Sequence, residues 1–120
     1  MATENASITI AGRSYKLELP PSFAARREVL DLVNSSAYRA CGAAIALCSL
    51  KAARKAGVVV KGLPTDYGQA MYDALATAGA EADIPVAGRI ALQFLVDSFV
   101  SSAKVEEEMG NSEAPTEPGT

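Results

Sequence analysis

The first pattern along the chain is alternation. In "SITIAGRSYKLELPP" the apolar residues Ile8 and Ile10, then Tyr15, Leu17 and Leu19, alternate with polar ones on either side of Ala11-Gly12-Arg13. Period two around a glycine-containing turn predicts a β-hairpin over about residues 7–19, and Pro20-Pro21 stops it. Ser22 then offers a side-chain oxygen to the free N–H groups of a helix starting at Phe23, with Val29, Leu30 and Val33 on one side. Asn34-Ser35-Ser36 ends that helix and supplies the next cap. A second helix is predicted from about Ser36 to Ala56, stopped by Gly57, which accepts the left-handed conformation that ends many helices.

"GVVVKGLP", Gly57 to Pro64, reads as an extended connector or an edge strand against the hairpin. After it, Tyr67, Ala70, Met71, Ala74, Leu75 and Ala78 recur at helical spacing on one face, with Gly79 as a stop. A last helix is predicted from about Pro85 to Val105, since proline in a first turn costs no internal hydrogen bond. Leu92, Leu95, Val96, Phe99 and Ala103 form its main stripe. Ile90 and Phe94 fall outside that stripe, which leaves them for a flank or a partner. The sequence thus predicts a mostly α fold: one domain over 1–105, with about four helices and an N-terminal β-hairpin. Residues 106–120 follow as an acidic, flexible tail, because "GNSEAPTEPGT" has no bulky apolar residue to repay the entropy of ordering.

Composition agrees with a helical body. Apolar residues are 49% of 120, but aromatics are only 6%, a balance that suits helices with thin side chains. The amino terminus lacks a basic region followed by an apolar run, so neither a secretory nor a transit signal is expected. The longest uncharged apolar run is Ala40 to Leu50, eleven residues, against the ~20 that cross a bilayer. The expected location is the cytoplasm, with no membrane partner.

Charge is unevenly spread. The net value is −3, but five of the fourteen acidic residues (Glu106, Glu107, Glu108, Glu113, Glu117) lie beyond Val105, so residues 1–105 hold 11 basic and 9 acidic side chains and are +2. No acidic residue separates Asp31 from Asp66, an interval that contains a basic cluster of Lys51, Arg54, Lys55 and Lys61. Four cations could neutralise phosphates. The small excess of charge, the acidic tail and the lack of interleaved aromatics argue against nucleic acid, and a simpler role is to offset the negative end of a helix dipole.

Cys41 and Cys48 sit in the Ala-rich "RACGAAIALCSLK". Seven helical residues place their Cα atoms ~10 Å apart, beyond the ~7 Å that a disulfide spans. With two cysteines and no histidine a structural zinc set would need carboxylates or a second chain, and a catalytic thiol would lack its usual activator. No phosphate-binding glycine motif occurs. No catalytic residue, cofactor or metal is therefore expected. Ala37, Cys41, Ala44, Cys48 and Ala52 instead form one narrow stripe of small side chains, a seam for close helix packing within the chain or for self-association as a homo-oligomer.

The order of parts carries a resemblance. A short hairpin "ITIAGRSYKLELPPSF", a helical body containing "AYRACGAAIALC", then "YGQAMYDALATAGA" leading into a final apolar helix and an acidic tail resembles the tail assembly chaperones of long-tailed bacteriophages, over roughly residues 8–105. The resemblance lies in layout and texture, with no catalytic signature. It implies a helical protein of the host cytoplasm that binds the tape measure protein, and in some cases tail tube protein, during tail assembly and is absent from the finished virion. It also implies a longer product made by frameshifting near the end of the reading frame. On this reading Ile90, Phe94, Leu95 and Phe99 are the candidate partner-binding residues. The alternatives are a virion structural or head-tail connector component and a small helical nucleic-acid-binding protein.

Overall fold

The computed structural model describes the backbone of residues 6–113 and the side chains of residues 6–99. The described residues form five α-helices and an N-terminal two-stranded hairpin. Strands β1 (Ser7–Ile10) and β2 (Arg13–Lys16) pair antiparallel, with Ile8 opposite Tyr15 and Ile10 opposite Arg13. Helices follow at α1 (Phe23–Leu32), α2 (Ala37–Cys48), α3 (Leu50–Ala56), α4 (Pro64–Thr77) and α5 (Ile84–Glu113), with one 3-10 turn, Glu81–Asp83, before α5.

The hairpin turn is Ala11-Gly12, both at positive φ (53° and 77°), as a tight two-residue turn requires to match strand twist. Alanine pays for that conformation in steric strain. Its N–H donates to the Asp83 carboxylate at 2.8 Å, which holds the turn against the start of α5. Ile8, Ile10 and Leu17 point into the core, as the alternation predicts. Strand pairing stops at Lys16, so Leu19 lies beyond the sheet and is 49% exposed.

Local signals set most helix ends. Ser22 caps α1 by accepting from the Ala25 N–H at 3.1 Å, Pro64 occupies the first turn of α4, and Gly57 and Gly79 take positive φ just after α3 and α4. In α1 the buried pair is Val29 and Leu32; Val33, assigned to the inner side by spacing, is exposed. The connector after Gly57 is extended but forms no strand. Val58 and Val60 rest on the core while Val59 faces solvent.

Further expectations need correction. The helix predicted over Ser36–Ala56 is two helices, because Ser49 adopts an extended conformation (φ −137°, ψ 91°) and restarts the chain as the cap of α3, accepting from the Ala52 N–H at 3.2 Å. Serine suits a cap better than a helix interior because its hydroxyl replaces a missing backbone partner. The second correction concerns α5. Its buried face is Ile84, Ala87, Gly88, Ala91, Phe94, Leu95 and Ser98, whereas Leu92 is only partly buried and Val96 is exposed. The backbone of α5 continues to Glu113. The side chains of Ala103 and of the acidic tail from Glu106 lie outside the described residues.

Helix α2 is the hub, with α4 and α5 as its main neighbours. Gly42, Ala43, Ala44, Ile45, Ala46 and Cys48 are all buried, and glycines make the approach possible. A Cβ on Gly42 would collide with the carbonyl oxygen of Gly68 in α4, one on Gly68 with the carbonyl of Arg39, and one on Gly88 with the Cys41 side chain. The outer edge of the α2–α4 contact is closed by polar groups. Tyr38 and Arg39 both donate to the Gln69 amide oxygen at 2.8 Å, Gln69 donates to Asp73, and the Tyr38 and Tyr72 rings meet edge to face at 5.0 Å.

Candidate functional site

The break at Ser49 opens a groove. The chain leaving β2 passes the end of α2, where the Glu18 N–H donates to the Cys48 carbonyl at 2.8 Å, and Pro20-Pro21 carries it on to α1. The connector Val60-Lys61-Gly62 forms the opposite wall. Between them lies a cavity of about 360 Å³ lined mainly by Leu19, the two prolines, Ala25, Leu47, Cys48, Leu50 and Val60, with Glu18 and Lys61 as its charged members. Tyr67 of α4 also lines it. Leu50 is 56% exposed on the rim, beside Leu19. Had α2 run straight through to Ala56, residue 50 would not stand where it does.

Tyr67 is the polar group of interest. It is only 4% exposed, and its hydroxyl is buried without a hydrogen-bond partner. Burial pushes its pKa up to about 12, with the nearby Glu28 charge, and Cys48 once ionised, acting in the same direction, so at neutral pH the hydroxyl is a proton donor. Cys48 is likewise pushed up to about 12 by burial, an effect that Arg26 partly opposes. It is a thiol at neutral pH and no nucleophile. Both cysteines are free.

The residues singled out from sequence are dispersed. In the small-residue stripe Ala44, Cys48 and Ala52 are buried, Cys41 is half-buried against Gly88, and Ala37 is exposed. The backbone that approaches this stripe is that of Gly88 in α5 of the same chain, which meets Cys41, whereas α4 packs on the other side of α2 at Arg39, Gly42 and Ala43. With Ala44, Cys48 and Ala52 buried, the stripe leaves no continuous free face for a second copy. Of the four candidate contacts on the last helix, Phe94 is 6% exposed and Leu95 fully buried, so both are core, contrary to their assignment as partner-binding residues. Phe99 is half-buried and packs edge to face on Phe23 at 4.8 Å, with the Arg26 guanidinium 5.5 Å from each ring. Ile90 remains on the surface, 37% exposed, one turn from the exposed Val86. The basic cluster is fully on the surface: Lys51, Arg54 and Lys55 on α3, Lys61 on the connector.

Sequence reasoning passed over Leu19, Leu50 and Tyr67 as site residues. Alternation puts Leu19 in the hairpin, and helical periodicity puts Leu50 in a continuous helix and Tyr67 on a core stripe. The available signal was Ser49, a cap residue inside an otherwise apolar helical run. Among the described residues there is no group of three or more His, Cys, Asp or Glu side chains that could hold a metal ion, and no helix long and apolar enough to cross a membrane. Comparisons with protein-family models, curated proteins and solved structures found no match to the chain.

Proposed function

We propose that this chain is an assembly chaperone that covers an apolar segment of a client polypeptide. The client is the tape measure protein of a long-tailed phage, with tail tube protein as a further partner, in the host cytoplasm. The observation that carries the reading is the groove and its rim: Leu19 and Leu50, each about half exposed (49% and 56%), border an apolar cavity. Apolar surface gathered around a concavity is favourable to bury and is where polypeptide partners bind. Val86 and Ile90 on α5 offer a second, smaller apolar row. The identity of the client rests on the resemblance in layout.

Co-expression with the tape measure protein tests this reading. The two should co-purify, and the tape measure protein should become soluble only with its chaperone. Mass spectrometry of purified virions should detect the tape measure protein without this chain. Presence of this chain at stoichiometric levels in virions would instead make it a structural or connector component. The exposure of Lys51, Arg54, Lys55 and Lys61 favours a second reading, nucleic-acid binding. Retention on heparin at moderate salt that is lost on neutralising Lys51, Arg54 and Lys55 would establish that reading.

A further inference from the structure

We propose that the groove binds an acidic, apolar segment of a partner polypeptide, with one large aliphatic or aromatic side chain in the cavity beside Tyr67 and a neighbouring carboxylate at Lys61 and Arg54. The inference deepens the chaperone reading and rests on it for the partner being a polypeptide.

Three observations specify the occupant. The first is Tyr67, a lining residue whose hydroxyl is closed off from solvent and has no partner. Buried hydroxyls are nearly always hydrogen-bonded, so this one is a donor awaiting an acceptor. A backbone carbonyl next to the inserted side chain supplies one. The second is shape. A cavity of about 360 Å³ is at the small end for a ligand site, and the apolar surface continues outside it over Leu19 and Leu50. A small molecule held in the cavity leaves that rim in water. A polypeptide segment covers both. The third is charge. Lys61 lines the wall, and Arg54 lies four residues after Leu50, on the same face of α3. Glu18 is the one carboxylate among the lining residues. Lys61 and Glu18 balance within the lining, so the excess comes from α3, whose Lys51, Arg54 and Lys55 are exposed beside the Leu50 rim, and it favours an acidic partner and steers its approach.

The test uses the full chain as bait for a displayed library of random dodecapeptides, followed by anisotropy titration of the most enriched peptides after synthesis. The expected pool pairs Leu, Ile or Phe with an adjacent Asp or Glu. Tyr67→Phe should weaken these peptides by about 2- to 10-fold, the worth of one hydrogen bond. Its melting temperature should be unchanged or higher, because the free protein loses no bond. Lys61→Glu should weaken binding and reduce its salt dependence, and Leu50→Asp, at an exposed site, should abolish binding while leaving helix content intact. The proposal is overturned if the pool lacks acidic-apolar pairs, or if its peptides bind Tyr67→Phe and Lys61→Glu as tightly as the native chain. A full-length chain with Glu106, Glu107 and Glu108 all changed to Gln that binds the peptides more tightly would assign the groove to the protein's own acidic segment, and would equally overturn it. The two readings fail separately. A tape measure protein that binds native and Leu50→Asp chains alike leaves the chaperone reading standing without the groove, whereas enriched peptides without tape measure binding leave the groove standing without that client.

Discussion

Alanine at position 42 makes a sharp test of how α2 and α4 meet. By intrinsic propensity, replacing a glycine inside a helix with alanine stabilises it by about 1 kcal/mol. At Gly42 the new Cβ runs into the Gly68 carbonyl oxygen, and it also lies 3.2 Å from both the Gly68 carbonyl carbon and the Tyr72 nitrogen. These are backbone atoms, so no rotamer change clears them. The helices must part by roughly 1 Å to restore normal van der Waals separation, which loosens the packing of Ala43 and Met71, both fully buried. Overpacking of a tight core costs about 1–3 kcal/mol, and a backbone-on-backbone collision belongs at the upper end. The clash outweighs the propensity gain, leaving a net loss of about 2 kcal/mol and a melting temperature lower by roughly 6–10 °C. Urea titration followed by far-UV circular dichroism measures the change. Gly68→Ala should behave alike, and the double variant should cost less than the sum, because one separation relieves both clashes. A Gly42→Ala chain as stable as the native one, or more stable, would refute the close approach of α2 to α4.

Thiol labelling reads the same packing: at pH 8 in native buffer Cys48 should stay unmodified by iodoacetamide, Cys41 should react slowly, and both should react in denaturant, as followed by mass spectrometry. Rapid native labelling of Cys48 would contradict its burial. Alkaline pH provides a third test. Cys48 and Tyr67 have folded pKa values of about 12, above their ordinary 9.0 and 10.0. The folded state therefore holds these protons more tightly, and their contribution to stability is complete below pH 9 and is lost as pH rises toward 12. Tyr67→Phe should remove part of that decline, and a stability profile flat to pH 12 would count against both shifts. On α5, Phe94→Asp should unfold the domain or cost upwards of about 3 kcal/mol, since it deletes a core ring and buries a charge. Ile90→Asp should leave the melting temperature within a few degrees, and equal destabilisation by the two would contradict their different burial.

The seam between Ala37 and Ala52 illustrates how far the residues alone lead. Spacing showed that small side chains line up on one side of a helix, and geometry excluded a bond between Cys41 and Cys48. Whether the backbone that comes close was internal or belonged to a second copy turned on Gly88, which meets Cys41 from 47 positions further along the chain. The same holds on α5. A helical wheel ranked by side-chain bulk selects Leu92, Leu95, Val96 and Phe99 as the inner stripe. The buried face contains Ala87, Gly88 and Ala91, with Gly88 against Cys41 of α2, because two helices that meet this closely need small residues where they touch. The groove was hidden for a related reason. It is formed by segments near residues 20, 50 and 61, and no local pattern reports that these converge.

What the sequence determined by itself is whatever the backbone decides locally. The hairpin follows from alternation around Ala11-Gly12, the caps from Ser22, the stops from Gly57 and Gly79, and the helical class from the apolar periodicity and the shortage of aromatics. Each of these depends on residues within a turn or two of one another. The tertiary structure decided what depends on distant partners: the break at Ser49, the buried face of α5, the internal closure of the small-residue seam and the groove beside Tyr67. Burial is a property of how elements pack together, and the free energy that selects one face over another is shared between residues far apart in the chain.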